Sequence, residues 1–249
     1  MEGLRVENLS KQFGALRVVR NVSFALGEEE RRVVIIGPNG AGKTTLFNLI
    51  SGELAPSKGS IHLFGRNVTT MPCHRRTRLG LARTFQITDL FPYCTLLQNV
   101  LLALQARDPC SFQILRPLST YGHLYRRAEA LLKEVRLYDK KDDTIATLPH
   151  GEARLLEILL GIAGNPRILL LDEPTAGLTC SEAVWLAGVI QHLLKDVTLL
   201  IIEHDMNVAF DLAERMIVLH QGEIVADGKP AEIRADSRIR DIYLGTCHE

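Results

Sequence analysis

The sequence has no long apolar run, no paired cysteines and no excess of either charge, and each absence closes off a class of protein. Its apolar stretches, such as Ile168 to Leu171 and Leu199 to Ile202, fall far short of the ~18 residues a membrane-spanning helix needs. No secretory leader pattern opens it, so any membrane role is expected to come through a partner. The 29 basic and 29 acidic residues cancel, which leaves no general positive field for nucleic acid, and none is expected as a partner. Cys73, Cys94, Cys110, Cys180 and Cys247 are scattered, odd in number and without metal-ligand spacing, and they read as reduced cytosolic thiols. What is there is a chain of 249 residues, 46% hydrophobic, enough to bury a core as one large domain or two closely joined subdomains.

The pattern changes twice along the chain. Short β-like runs (Leu4 to Glu7, Val18 to Leu26, Arg32 to Ile36, Ser60 to Phe64) separated by Gly14, Gly27, Gly59 and Gly65 predict a mixed β-region over residues 3–68. From about 86 to 164 the apolar residues fall at helical spacing instead: Leu96, Val100, Leu104; Ala128, Leu131, Leu132, Val135; Leu155, Leu156, Leu159, Leu160. Residues 106–120, with Pro109 and Pro117, read as a loop elaboration within this insert. Beyond it, Ile168 to Leu171, Leu199 to Ile202 and Ile217 to Leu219 alternate with helical stretches, which argues for a parallel sheet.

Between the β-run ending at Ile36 and the helical pattern from Leu46 stands Gly37-Pro38-Asn39-Gly40-Ala41-Gly42-Lys43-Thr44-Thr45. A glycine loop between strand and helix is a phosphate-binding loop in its required setting. Glycines let successive N–H groups converge and a polyphosphate approach the backbone, and the following helix adds its positive end. Lys43 would reach the β- and γ-phosphates and the Thr44 hydroxyl would ligate Mg2+. The second motif is Ile168-Leu169-Leu170-Leu171-Asp172-Glu173. It sets two carboxylates at the exit of a buried strand, where open α/β sheets bind ligands. Acidic residues also cap strands without function; downstream of a phosphate loop, Asp172 reads as a Mg2+ ligand and Glu173 as the general base for water attacking the γ-phosphate.

With these motifs in order, the chain resembles ATP-binding-cassette (ABC) transporter ATPase subunits along essentially its whole length. The resemblance implies an α/β fold: a P-loop NTPase (RecA-like) core, an antiparallel β-subdomain and an inserted α-helical subdomain. It places one ABC ATPase domain over 1–249, with 1–85 and 165–249 forming the catalytic and β parts and 86–164 the helical part. Phe13 resembles the aromatic that stacks on adenine, and Gln86 the glutamine that senses Mg2+ and the attacking water. Leu148-Pro149-His150-Gly151-Glu152 sits where the signature Leu-Ser-Gly-Gly-Gln is expected, and contributes His150, Gly151 and Glu152 to nucleotide held by a second subunit. Ala176 to Thr179 resembles the loop that crosses the dimer interface, and His204 the switch histidine at the γ-phosphate. Taken singly, each has a plainer reading: a strand aromatic, a helix-capping glutamine, a solvated histidine.

Pro149 in place of the signature serine removes a hydroxyl and an N–H, leaving the trans contact to Gly151, a helix opening at Glu152, and His150. Thr179 stands where an aspartate is usual. Arg154-Leu155-Leu156-Glu157-Ile158, Ala82 to Gln86, Ile202 to Met206 and Ile242 to Gly245 resemble the branched-chain amino-acid importer group and its urea and amide relatives. That resemblance implies ATP and Mg2+ as cofactors, membrane permease subunits as partners, and a second ABC ATPase subunit, as a heterodimer ahead of a homodimer. It places the chain on the cytoplasmic face of the membrane. An exporter ATPase of the lipopolysaccharide-transport type and a soluble ABC ATPase are the competing readings. Leu90, Phe91, Pro92 and Tyr93 are expected either to receive a short permease helix or to serve the helical core. The basic run His74-Arg75-Arg76-Thr77-Arg78 reads as a solvated helix face or as a surface near anionic lipid.

Stacking on Phe13 tolerates any base and contributes about 1–3 kcal/mol. Phe13→Ala is therefore expected to weaken ATP and GTP by similar factors. Unchanged affinity for both in direct titrations would make Phe13 an ordinary strand residue.

Overall fold

In the computed structural model, residues 3–27, 30–84, 90–106, 108 and 120–244 are described. They form two compact units: residues 1–83, 167–174 and 194–249 make the first, and residues 84–166 and 175–193 the second.

The first unit holds two sheets. One is antiparallel, in the order β2-β1-β4-β5, from β1 (Leu4–Phe13), β2 (Leu16–Leu26), β4 (Lys58–Leu63) and β5 (Arg66–Asn67). β1 runs farther than its alternating start predicts, because residues up to Phe13 continue the hairpin and pair with β2 as far as Leu16. The other has the order β10-β9-β3-β8-β7-β6, from β3 (Arg32–Ile36), β6 (Leu81–Arg83), β7 (Ile168–Asp172), β8 (Thr198–Ile202), β9 (Arg215–His220) and β10 (Glu223–Gly228). Neighbours from β9 to β6 are parallel, and β10 is antiparallel to β9. Every residue of β7 is buried, as the unbroken apolar run requires of a strand covered on both faces. Helix α1 (Lys43–Ser51) packs Leu46, Phe47, Leu49 and Ile50 into the cluster that also takes Leu4 and Leu26 from the antiparallel sheet. Backbone bonds from Arg20 N–H to Gly222 O (2.8 Å) and Gly222 N–H to Ala41 O (3.0 Å) stitch β2, the β9–β10 turn and the phosphate loop together.

Helix α2 (Cys73–Arg78) revises the reading of the basic run. His74, Arg75 and Arg78 are exposed, but Arg76 is only 1% exposed. Its guanidinium donates to the carbonyls of Leu49 (2.8 Å) and Ile50 (2.7 Å) in the last turn of α1, and to Met71 (2.8 Å) and Thr69 (3.0 Å). Those last-turn carbonyls carry the negative end of the helix dipole, so a cation belongs there.

The second unit is helical among its described residues: α3 (Leu96–Gln105), α4 (Gly122–Glu134), α5 (His150–Ile162) and α6 (Cys180–Leu193). A capping box between Thr95 and Gln98 starts α3. Most of the 106–120 elaboration lies outside the described residues. The first unit closes with α7 (Met206–Leu212), α8 (Pro230–Ala235) and α9 (Ser237–Leu244). No described helix is long and apolar enough to cross a membrane.

Arg76→Met strips donors from four carbonyls while keeping an apolar side chain. At ~1 kcal/mol net per bond, stability is expected to fall by about 4 kcal/mol, read as a lowered denaturation midpoint. A midpoint equal to wild type would show that water replaces the guanidinium.

Candidate nucleotide site

β3 delivers the chain into the phosphate loop, and two glycines there are demanded by geometry. A Cβ at Gly37 would lie 2.1 Å from the Leu219 carbonyl oxygen of β9. Gly42 has φ +100°, and a Cβ on it would lie 2.6 Å from the Val18 carbonyl oxygen. The loop encloses a pocket of about 200 Å³ lined by Asn39, Gly40, Ala41, Gly42, Lys43, Thr44 and Thr45, with Val18 and Glu173 completing it. Pro38 lies one position upstream, and its carbonyl and that of Gly37 accept from Lys43 Nζ at 3.1 and 2.5 Å. Burial draws the Lys43 ammonium below its ordinary range, while the nearby Glu173 and Asp172 charges oppose that shift. A cation buried at a helix N-terminus beside open backbone donors suits a polyanion.

β7 ends at Asp172, which is fully buried, and Glu173 follows with φ +47°. A left-handed non-glycine residue is costly, and such strain collects at functional sites. Here it turns the Glu173 side chain toward the pocket while its N–H stays bonded to Ile202 O at 2.9 Å. β8 leads through the buried Glu203 to His204, whose Nδ1 lies 3.9 Å from Glu173 Oε2. Asp205 caps α7 by accepting from the N–H groups of Asn207 (2.8 Å) and Val208 (3.2 Å), which fixes the turn carrying His204.

Three residues at the site escaped sequence reasoning. Val18 enters only because the β1–β2 hairpin folds back to the loop. Tyr243 on α9 reaches the Gly37 backbone; burial pushes its phenol up to about 12, against the lowering effect of that backbone. Arg83, at the end of β6, donates from Nη2 to Asp172 Oδ2 at 3.0 Å and from Nη1 to Asn48 Oδ1 at 2.5 Å and Glu53 Oε1 at 3.1 Å. The clue to Arg83 was a charged residue closing an otherwise apolar strand. Phe13 is 46% exposed at the end of β1, with Lys11 Nζ over its ring at 5.1 Å from the centre, so it is not packed into the core. Gln86 lies outside the described residues.

The signature region belongs to the second unit. Pro149, extended at φ −55° and ψ 147°, is the N-cap residue of α5, so the helix opens at His150 and not at Glu152. Proline suits this boundary because its fixed φ costs nothing before a first turn whose N–H groups lack intrahelical partners. His150 is exposed, Gly151 is buried, and Glu152 is engaged by Lys140 Nζ at 2.7 Å. Glu182 of α6 accepts from the Thr179 N–H (2.9 Å) and hydroxyl (2.7 Å), so Thr179 starts α6 through a capping box. Those hydrogen bonds hold the Glu182 carboxyl below its usual range.

The donor set fits a nucleotide with its metal. A buried lysine and the loop from Asn39 to Thr45 line the pocket, and Lys43 lies within the field of both Asp172 and Glu173, so the acidic edge and the loop share one site. Thr44, exposed in the first turn of α1, offers a hydroxyl and Asp172 a carboxylate, hard oxygen ligands suited to Mg2+.

Known proteins agree with this geometry. The family described as ABC transporter matches residues 19–176. The chain is 37% identical over 250 residues to the high-affinity branched-chain amino acid transport ATP-binding protein BraF of Pseudomonas aeruginosa, covering 97% of each. The ADP conformation of MJ1267, an ATP-binding cassette of an ABC transporter, superposes with TM-score 0.88 at 28% identity, covering 98% of this chain and 99% of that one. A dimeric post-hydrolysis state of the cassette MJ0796 bound to ADP and Pi has TM-score 0.75 at 26% identity, covering 91% of this chain and 98% of that one. Phosphate loop, acidic strand exit and matched relatives converge, and this chain belongs to the ABC transporter family.

Proposed function

We propose that the chain binds and hydrolyses ATP as the cassette subunit of a membrane importer for branched-chain amino acids or related small polar solutes. The observation that carries hydrolysis is Glu173: a carboxylate held in a strained backbone conformation, lining the phosphate-loop pocket with His204 beside it at 3.9 Å. In this reading a water attacks the γ-phosphorus, Glu173 accepts the water proton, and the bond to the ADP oxygen breaks. Lys43 leaves its loop carbonyls to meet the β- and γ-phosphates, and His204 orients toward the γ-phosphate. Thr44 and Asp172 would hold Mg2+, which supplies charge neutralisation on the phosphates.

The solute class rests on the likeness to BraF and on the phrases that extend past the catalytic motifs, such as Arg154 to Ile158. Pairing with a second cassette, a paralogue ahead of a second copy, is supported by Gly151. Its φ is not left-handed, and a Cβ there would meet Glu182 and Trp185 only at ordinary contact distances of 3.6–3.7 Å. Among the described residues no contact forces glycine here, and in this reading the phosphate of a partner's nucleotide would approach the first turn of α5. Permease contact falls to Phe91 and Tyr93, 55% and 92% exposed, while Leu90 is buried. Asn99 of α3 holds this segment by accepting from the Phe91 N–H at 2.9 Å and donating to the Phe91 carbonyl at 3.2 Å. The subunit then works at the cytoplasmic face of the membrane.

Glu173→Gln keeps the shape of the site and removes the proton acceptor, so turnover is expected to fall by about 10²–10⁴ while ATP binding persists. Light scattering with ATP and the partner cassette should show a lasting dimer; turnover at the wild-type rate would remove Glu173 from its role. Gly151→Asp places a carboxylate where a phosphate must dock. It is expected to abolish ATPase activity of the assembled transporter while leaving ATP binding to the isolated chain intact, and full activity would show that this half-site is idle.

A further inference from the structure

Arg83 is the least expected charge at the site. Its side chain is 7% exposed, and its guanidinium joins three parts of the first unit. One prong meets Asp172 Oδ2 at 3.0 Å; the other meets Asn48 Oδ1 at 2.5 Å on α1, Ser51 Oγ at 3.4 Å and Glu53 Oε1 at 3.1 Å just beyond it. The guanidinium carbon also stands 5.8 Å from the ring centre of Phe47, on the same helix. Backbone pairing of Arg83 with Leu170 sets β6 beside β7, so the fork is aimed by a strand and not by a loop.

We propose that Arg83 is a positioning residue that locks the Asp172 carboxylate to the helix of the phosphate loop and thereby sets how strongly a divalent cation enhances nucleotide binding. The inference rests on the reading of Asp172 as an ion ligand. A carboxylate with one oxygen clamped to a guanidinium turns its other oxygen in a fixed direction. An ion shared between Asp172 and Thr44 needs that direction to be right relative to α1, which carries Thr44. Because the same guanidinium grips Asn48 on α1, both ligands are referred to one side chain. Lysine cannot replace it: an ammonium keeps the charge but lacks the planar fork needed to hold Asp172 and Asn48 together.

The test is titration of the isolated chain with ATP, with and without Mg2+, alongside thermal unfolding. For Arg83→Lys, metal-free ATP affinity should stay within about twofold of wild type, while the gain in affinity on adding Mg2+ should shrink by about tenfold, the usual size of an outer-shell effect. Mn2+ paramagnetic resonance of the ATP complex should show a matching loss of bound ion. Asn48→Ala should shrink the gain less, and the double variant should be no worse than Arg83→Lys alone. If Arg83→Lys does not fold, Asn48→Ala and Glu53→Gln carry the measurement. A Mg2+ gain equal to wild type, or equal losses with and without metal, overturns the proposal. Asp172→Asn separates the two levels. If it keeps the Mg2+ gain, the ligand reading falls and the proposal with it; if it abolishes the gain while Arg83→Lys does not reduce it, the proposal alone falls.

Discussion

The parallel register of β3, β8 and β7 is the constraint on which the site depends. Ile35 lies opposite Ile202, and Ile202 opposite Asp172, so the three strands end level. The residues that follow are therefore delivered to one edge: Gly37 and the phosphate loop from β3, Glu203 and His204 from β8, Glu173 from β7. A slip of one residue between these strands would carry Gly37, Glu173 and Glu203 out of level and take the site apart. The strands are packed throughout, with Val33 to Ile36, Ile168 to Leu171 and Leu199 to Ile202 all buried to within 1% exposure, and the ladder runs past their ends through Glu203 N–H to Ile35 O at 3.2 Å and Glu173 N–H to Ile202 O at 2.9 Å.

Helix α1 converts this edge into a rigid cradle because it is held at three points. Gly42 lets its N-terminus press against the Val18 carbonyl of β2. Arg76 closes its C-terminus through the Leu49 and Ile50 carbonyls, and Arg83 holds its flank through Asn48. Two buried guanidinium groups are expensive to desolvate. Each is offset by several short hydrogen bonds, and in both cases the partners include groups of the one helix that must not move when a polyphosphate binds. Stability and preorganisation are served by the same contacts.

The parts of the fold legible in the sequence are those written locally. The phosphate loop, β3, β7 and β8 each declare themselves through an apolar run closed by residues of fixed conformational or chemical preference, and the spacing of Leu96, Val100 and Leu104 announces α3. Arg76 and Arg83 were opaque because the partners that make their burial tolerable lie far away in sequence. Within its basic run, Arg76 is indistinguishable from its solvated neighbours until α2 packs on α1. The start of α5 was misplaced by two residues because Pro149 reads equally as a break or as a boundary, and only backbone geometry decides. The strain at Glu173 left no trace in the sequence either, since its left-handed conformation belongs to the turn between β7 and the segment after it.

The signature shows how backbone and side chain divide the same task. Replacing serine by Pro149 removes a hydroxyl and one N–H, but Pro149 is the N-cap residue, and the donors that point out of the helix begin with His150. The N–H groups of the first turn have no intrahelical acceptor and survive the substitution. Gly37 and Gly42 are glycines because neighbouring backbone lies within 3 Å of where a Cβ would stand; Gly151 has ordinary contact room on its own chain. The first two preserve a loop that this chain must form for itself. Gly151 is buried beside Glu182 and Trp185 and would still admit a Cβ at ordinary contact distance, so crowding within this unit does not fix it as glycine in the way it fixes Gly37 and Gly42.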